Sequence, residues 1–110
     1  MTPAAGVRAR SLAARITYNP PEMHFVYMVR CADGTLYTGT ARDPHEREQR
    51  HNRGRGARYT AGRLPVSLVY SEALETPGDA LRRERAVKSL SRLKKEALIR
   101  GFVAPRLGPR

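Results

Sequence analysis

The chain has no tryptophan, and tyrosine and phenylalanine together supply only 6% of its 110 residues. One domain is expected at this length, and with so few large rings its core must be thin. Cysteine occurs once, at Cys31, which excludes an internal disulfide and suits a reducing compartment; a small core residue in a strand is its expected role. No apolar run approaches the roughly 18 residues of a membrane-spanning helix. Arg8, Arg10 and Arg15 lie near the N-terminus without a continuous apolar stretch beside them, which argues against a secretory signal. The cytoplasm is therefore the expected location. Acids are scarce too: 10 against 21 lysines and arginines, for a formal net charge of +11. Such an excess attracts polyanions and releases counterions on contact. Nucleic acid is the expected partner, ahead of an acidic membrane surface or protein, and the bland alternative is a solvated, arginine-rich surface.

Residues 1–22, with Pro3, Gly6, Pro20 and Pro21 among small residues, read as a disordered or loosely docked arm. Met23, directly before the first strong strand signal, is a candidate functional start. A folded domain is expected over 23–101, and a tail carrying Pro105 and Pro109 over 102–110. Within the domain, His24 to Cys31 is β-branched and aromatic and reads as a strand, Ala32-Asp33-Gly34 as a turn, and Thr35 to Gly39 as the returning strand. Two registers are open. A two-residue turn pairs Tyr27 with Thr40 and sets Tyr27 and Tyr37 on opposite faces. A three-residue turn with Gly34 left-handed pairs Cys31 with Thr35 and puts Tyr27, Val29, Tyr37 and Gly39 on one face.

Asp43, Pro44 and Glu46 form a helix start with a capping-box pattern, and the helix should reach about Arg53. Its body has no apolar stripe, so it is either marginal or held by something other than a greasy face. Residues 53–63 form a flexible basic loop, Val66 to Ser71 a third strand, Thr76 to about Leu90 a second helix, and Arg92 to Arg100 a third, capped by Ser91 and ended by Gly101. The expected fold is α/β in the α+β sense: a small three-stranded, mostly antiparallel sheet flanked by helices in ββαβαα order.

Glu84 is the most informative residue. On a helical wheel Ala80, Leu81, Val87 and Leu90 define an apolar arc that contains it. A core-facing carboxylate is costly unless it is paired or holds a metal. A metal ligand and a buried ion pair with Arg47 or Lys88 are equally open. Arg47 and His51 share a helix face at i, i+4; a guanidinium can neutralise phosphate charge and an imidazole can move a proton, although a solvated surface pair is the plain alternative. Tyr27 and Tyr37 on neighbouring strands are more often packing partners than catalysts, yet a desolvated phenol can orient or deprotonate water. In the loop, Arg53, Arg55, Arg58 and Arg63 with Tyr59 suit phosphate contacts and stacking on an exposed base, against an ordinary solvated loop.

Val26-Tyr27-Met28, ten residues ahead of Tyr37-Thr38-Gly39, resembles the paired tripeptides that name the GIY-YIG nucleases. Arg47, His51 and Glu84 follow in that family's order, across about residues 24 to 100. Gly56-Ala57-Arg58-Tyr59-Thr60 and Ala80-Leu81-Arg82-Arg83-Glu84 are similar to its small stand-alone bacterial branch. The resemblance implies phosphodiester hydrolysis with one divalent ion, Mg²⁺ or Mn²⁺, held by Glu84. It gives Tyr27 a part in activating water, Tyr37 a place near the reacting phosphate, Arg47 the stabilisation of phosphorane charge, and His51 proton or phosphate contacts. It also favours the three-residue turn, since both tyrosines must face one cleft. Arg53, Arg55, Arg58, Tyr59, Arg63 and Lys88 are then expected to bind the nucleic acid. Departures are Val-Tyr-Met in the first tripeptide, Thr38 in the second, Pro44 and Glu48 where larger apolar residues are usual, and Arg58 where lysine is frequent. The expected activity is metal-dependent endonucleolytic cleavage of DNA, or of RNA, in repair or processing. The alternatives are a weakly active or inactive nucleic-acid-binding module on the same fold, and a basic structural protein such as a ribosome-associated one.

Overall fold

The computed structural model describes residues 23–102. The expected arm over 1–22 and the tail from 103 onward lie outside the described residues. The elements are β1 (His24–Arg30), β2 (Leu36–Ala41), α1 (Pro44–Asn52), α2 (Arg58–Ala61), β3 (Ser67–Leu74), α3 (Pro77–Lys88) and α4 (Arg92–Gly101). The expected ββαβαα order holds, with the short α2 added inside the basic loop. The sheet runs β2-β1-β3 and both pairings are antiparallel.

The hairpin takes the three-residue turn. Tyr27 pairs with Gly39 and Val29 with Tyr37; Cys31 N–H donates to the Thr35 carbonyl at 2.8 Å, and Gly34 N–H to that of Cys31 at 2.9 Å. Gly34 sits at φ +86°, the left-handed region where a side chain would be strained. This register sets both tyrosines on one face. The third strand runs three residues past the expected Ser71, and it is bulged: Met28 pairs with Tyr70 but Val29 with Leu68, leaving Val69 as the extra residue.

The two faces of the sheet carry separate clusters. One holds Tyr27, Val29, Cys31, Ala41 and Val66, with Tyr37, Leu64 and Leu68 against them. The other holds Val26, Met28, Tyr70 and Val87, with Leu98, Ile99 and Phe102 from α4 and its C-terminal end. On α3 the buried residues are Ala80 and Val87, whereas Leu81, expected in the apolar arc, is 50% exposed. Its wheel position is about 100° from Ala80, at the rim of the arc. Glu84 lies nearer the centre and is half-buried. Phe102, expected to open the tail, belongs to the fold: its ring centroid is 5.6 Å from that of Tyr70. Glu96 ties α4 to the hairpin. It takes both Nη atoms of Arg30 at 2.9 and 2.8 Å and Arg92 Nε at 2.9 Å, and these hydrogen bonds hold its carboxyl down at about 2.

The apolar-free helix α1 is fastened by polar groups. Asp43 caps it, accepting from Glu46 N–H at 3.1 Å; the Glu46 carboxylate meets Arg50 and Arg53 at 3.6 and 3.9 Å instead of reaching back. Asn52 donates through Nδ2 to the Val66 carbonyl at 3.0 Å and accepts Val66 N–H at 2.7 Å, so its amide replaces a neighbouring peptide. Glu48, a departure from the larger apolar residues usual at that position in the family the chain resembles, accepts Leu68 N–H at 2.8 Å. β3 is an edge strand, and these bonds satisfy backbone groups at and just before its start. Asn52→Ala should therefore lower stability by about 1–3 kcal/mol, since it strands two backbone groups. Urea unfolding measures this, and an unchanged midpoint would show that α1 is held elsewhere.

Candidate active site

Tyr27, in the central strand, is almost fully buried at 1% exposure. Its ring lies over Gly39 of β2, where an added Cβ would come within 2.9 Å of the phenol oxygen. A glycine there permits that close approach. The phenol oxygen is 2.8 Å from His51 Nε2, and the Arg47 guanidinium is near enough to act on the same group. Burial raises the phenol's pKa most, and the neighbouring Tyr37 adds to this; the Arg47 guanidinium opposes them, and the Glu84 charge raises it again. The net result is a phenol pushed up to about 12, protonated at neutral pH.

His51, the last-turn partner of Arg47 on α1, is 1% exposed. Its Nδ1 lies 2.9 Å from Thr60 Oγ1 and accepts Ala57 N–H at 3.3 Å. Thr60 is fully buried and also reaches the Ala57 carbonyl at 2.9 Å. A Cβ on Gly56 would overlap the imidazole. Burial first, then the charges of Arg47 and Arg50, hold His51 below its ordinary value of 6.5, so the ring is neutral at physiological pH. Gly56→Ala should cost about 1–3 kcal/mol through overpacking against a ring that has no room to move, and the His51 ring resonances should shift in the same variant. A melting temperature equal to the parent's would mean that the loop gives way freely.

Arg47 donates through Nη1 to the Thr40 carbonyl at 3.2 Å, while its Nε is buried without a partner. That guanidinium N–H is left without an acceptor beside a desolvated phenol, and an anionic oxygen is the kind of group that would satisfy it. Tyr37 meets His51 edge-on at 5.5 Å and stacks on Tyr59 at 5.9 Å. Arg63 covers the far side of Tyr59 at 4.0 Å and pairs with Asp33 at 3.1 Å. Glu84 Oε2 meets Lys88 Nζ at 3.2 Å, the ion-pair alternative raised by the sequence, though the lysine side chain is 53% exposed.

Tyr27, Tyr37 and His51 thus meet directly, and Arg47 and Glu84 are near enough for their charges to act on Tyr27. Arg53, Arg55 and Arg58 are exposed around them. The basic loop is a correction: it is not uniformly flexible, because α2 forms within it and Thr60 is inserted against His51. Sequence reasoning gave no role to Gly39, Asn52, Gly56, Ala57 or Thr60. For Gly56, Ala57 and Thr60 the available signal was the Gly-Ala-Arg-Tyr-Thr block, whose glycine and threonine lie close behind a helix ending in histidine.

A family model described as the GIY-YIG catalytic domain matches residues 23–97. This chain belongs to the GIY-YIG family. The family is a nuclease superfamily whose members generally use a divalent metal and act on nucleic acid. Among relatives of this GIY-YIG chain, a UPF0213 protein of Staphylococcus aureus is 53% identical over 79 residues, covering 72% of this chain and 96% of the relative. The solution structure of a UPF0213 protein of Bacillus halodurans is 43% identical and covers 76% of this chain and 88% of its own, with a TM-score of 0.49. That of an E. faecalis protein is 33% identical and covers 84% and 99%, with a TM-score of 0.53. No helix among the described residues is long and apolar enough to cross a membrane.

Proposed function

We propose that the chain is a divalent-metal-dependent endonuclease that hydrolyses DNA phosphodiester bonds, in repair or processing within the cytoplasm. The observation that carries this reading is the buried, unpartnered Nε of Arg47 at a phenol that also feels Glu84. A scissile phosphate seated there would give Arg47 its missing acceptor and place the attacking water within reach of Tyr27. Tyr37 would wall the cleft from the Tyr59 side, and His51 would hold the Tyr27 oxygen in place. Arg53, Arg55, Arg58, Tyr59, Arg63 and Lys88 would track the strand on either side, with affinity falling as salt rises.

The residues fit one hard cation. Glu84 offers a half-buried carboxylate whose ion-pair partner is a flexible, exposed lysine, and no cluster of three or more His, Cys, Asp or Glu that could hold an ion occurs among the described residues. That donor set suits Mg²⁺ or Mn²⁺ with its other positions taken by water and phosphate oxygens. When bound there, the ion would supply Lewis-acid stabilisation of the phosphate and the leaving oxygen. The lone buried thiol of Cys31 suits a reducing compartment.

The Glu84–Lys88 pair favours a second reading, a nucleic-acid-binding module whose acid is already satisfied and which cuts poorly. Labelled single-stranded, nicked and branched DNA, with an RNA of matching sequence, incubated with and without Mg²⁺, separates the two. Metal-dependent turnover supports the nuclease. Retention of DNA without cleavage on every substrate supports the module.

A further inference from the structure

A neutral imidazole carries one N–H and one lone pair, and the partners decide which nitrogen has which. At His51 two of those partners can act either way. The Thr60 hydroxyl can donate to Nδ1 or turn to the Ala57 carbonyl, and the Tyr27 phenol can donate or accept. The third partner cannot. A backbone N–H only donates, so the 3.3 Å contact from Ala57 to Nδ1 requires the lone pair to be at Nδ1. The ring proton is then on Nε2, 2.8 Å from the Tyr27 oxygen.

We infer that the Gly56–Thr60 segment is a socket that fixes His51 as the Nε2–H tautomer, so that His51 donates a hydrogen bond to the Tyr27 oxygen and does not accept its proton. Three features build the socket. Ala57 supplies the fixed donor. Thr60, fully buried, holds its hydroxyl 2.9 Å from Nδ1, and it can turn its proton there because the Ala57 carbonyl also accepts Thr60 N–H at 3.2 Å. Gly56 leaves the space that the ring fills. Thr60 is accordingly a positioning residue that acts through His51. The tautomer stands on its own, whereas its catalytic meaning rests on the nuclease reading. With the Arg47 charge also acting on it, the Tyr27 oxygen has two neighbours that favour negative charge there, and its proton must leave away from the ring.

Long-range proton–nitrogen correlation spectra of the full chain, labelled at histidine nitrogens and recorded near neutral pH, read the tautomer directly. A His51→Gln spectrum identifies the His51 signals. The expected result is a single Nε2–H form in the parent chain, a mixture of tautomers in Thr60→Val, and the parent pattern in Thr60→Ser. In the cleavage assay Thr60→Val should lose about tenfold or more in kcat with KM nearly unchanged, as when a transition-state interaction is weakened, and Thr60→Ser should recover it. An Nδ1–H form in the parent, or an unaltered tautomer or kcat in Thr60→Val, overturns the proposal. If Thr60→Val does not fold, the parent and Thr60→Ser spectra still decide the tautomer. If no substrate is cut by any variant, the nuclease reading fails while the spectra stand.

Discussion

Glu84→Ala is expected to abolish metal-dependent cleavage, a loss of about 10³-fold or more, while DNA binding stays within a few-fold of the parent. The separation follows from where the charge sits. Glu84 is the acid whose field reaches the Tyr27 oxygen, so on the proposed nuclease reading its removal takes away the carboxylate that would hold a cation at the reacting phosphate. On the proposed reading, affinity would come mainly from the arginines and lysines of a chain with net charge +11, and removing an acid would leave that attraction intact or slightly stronger. Folding should be little affected, because the Lys88 partner is half-exposed and such pairs contribute about 0–1 kcal/mol. Fluorescence anisotropy on a labelled duplex, with cleavage on the same DNA, reads both quantities. Lys88→Met is the comparison: it frees the same carboxylate, so it should weaken binding by one phosphate contact yet keep cleavage at saturating DNA. Equal loss of binding and cutting in Glu84→Ala would assign the residue to the binding surface, and full activity would remove it from the chemistry.

The fold was legible because its signals are local. β-branched runs, Asp-Gly and Thr-Pro-Gly-Asp punctuation and two Pro-led helix starts mark the elements within a few residues of their ends. The register of the hairpin was not local. Both turns suited the residues, and the choice depended on requiring Tyr27 and Tyr37 to share a cleft. The fastening of α1 was harder still. Asn52 and Glu48 bond to the backbone at Val66 and Leu68, and a side chain that meets distant backbone leaves no periodic trace in sequence. Leu81 was misplaced for a different reason: a wheel gives the direction of a side chain but not the width of the buried arc. Tyr27, Arg47, His51 and Glu84 were found as residue types at spacings. What linked Thr60 to His51 was a tertiary contact between a loop and a helix end, and composition alone reads that loop as mobile.

Cleavage should quicken about tenfold for each unit of pH between roughly 7 and 10, and Tyr27→Phe should lower the rate by about 10²–10⁴ across that range. The phenol is pushed up to about 12 by burial in the free chain. An acid raised in this way is protonated below that value, so only a small fraction is phenolate at neutral pH, and that fraction grows tenfold per unit until pH nears the pKa. If the phenolate is the group that takes the proton of the attacking water, the rate follows it. Hydroxide attack without Tyr27 would give the same slope, and Tyr27→Phe distinguishes the two: it keeps the slope and most of the rate if hydroxide is the nucleophile unaided, and loses the rate if the phenol oxygen is required. Phe removes one oxygen and its hydrogen bond to His51, leaving the ring packing over Gly39 in place. On the acid side His51 stays neutral until pH falls below its ordinary 6.5, because burial and the charges of Arg47 and Arg50 hold its pKa down. Once protonated, it would present an N–H at Nδ1 to the Ala57 N–H and break the contact that orients it. A second loss of rate, steeper than the first, is therefore expected as pH falls below the ordinary histidine value. A rate flat from pH 7 to 10 in the parent would mean that Tyr27 does not need to lose its proton, and would leave it as an orienting group.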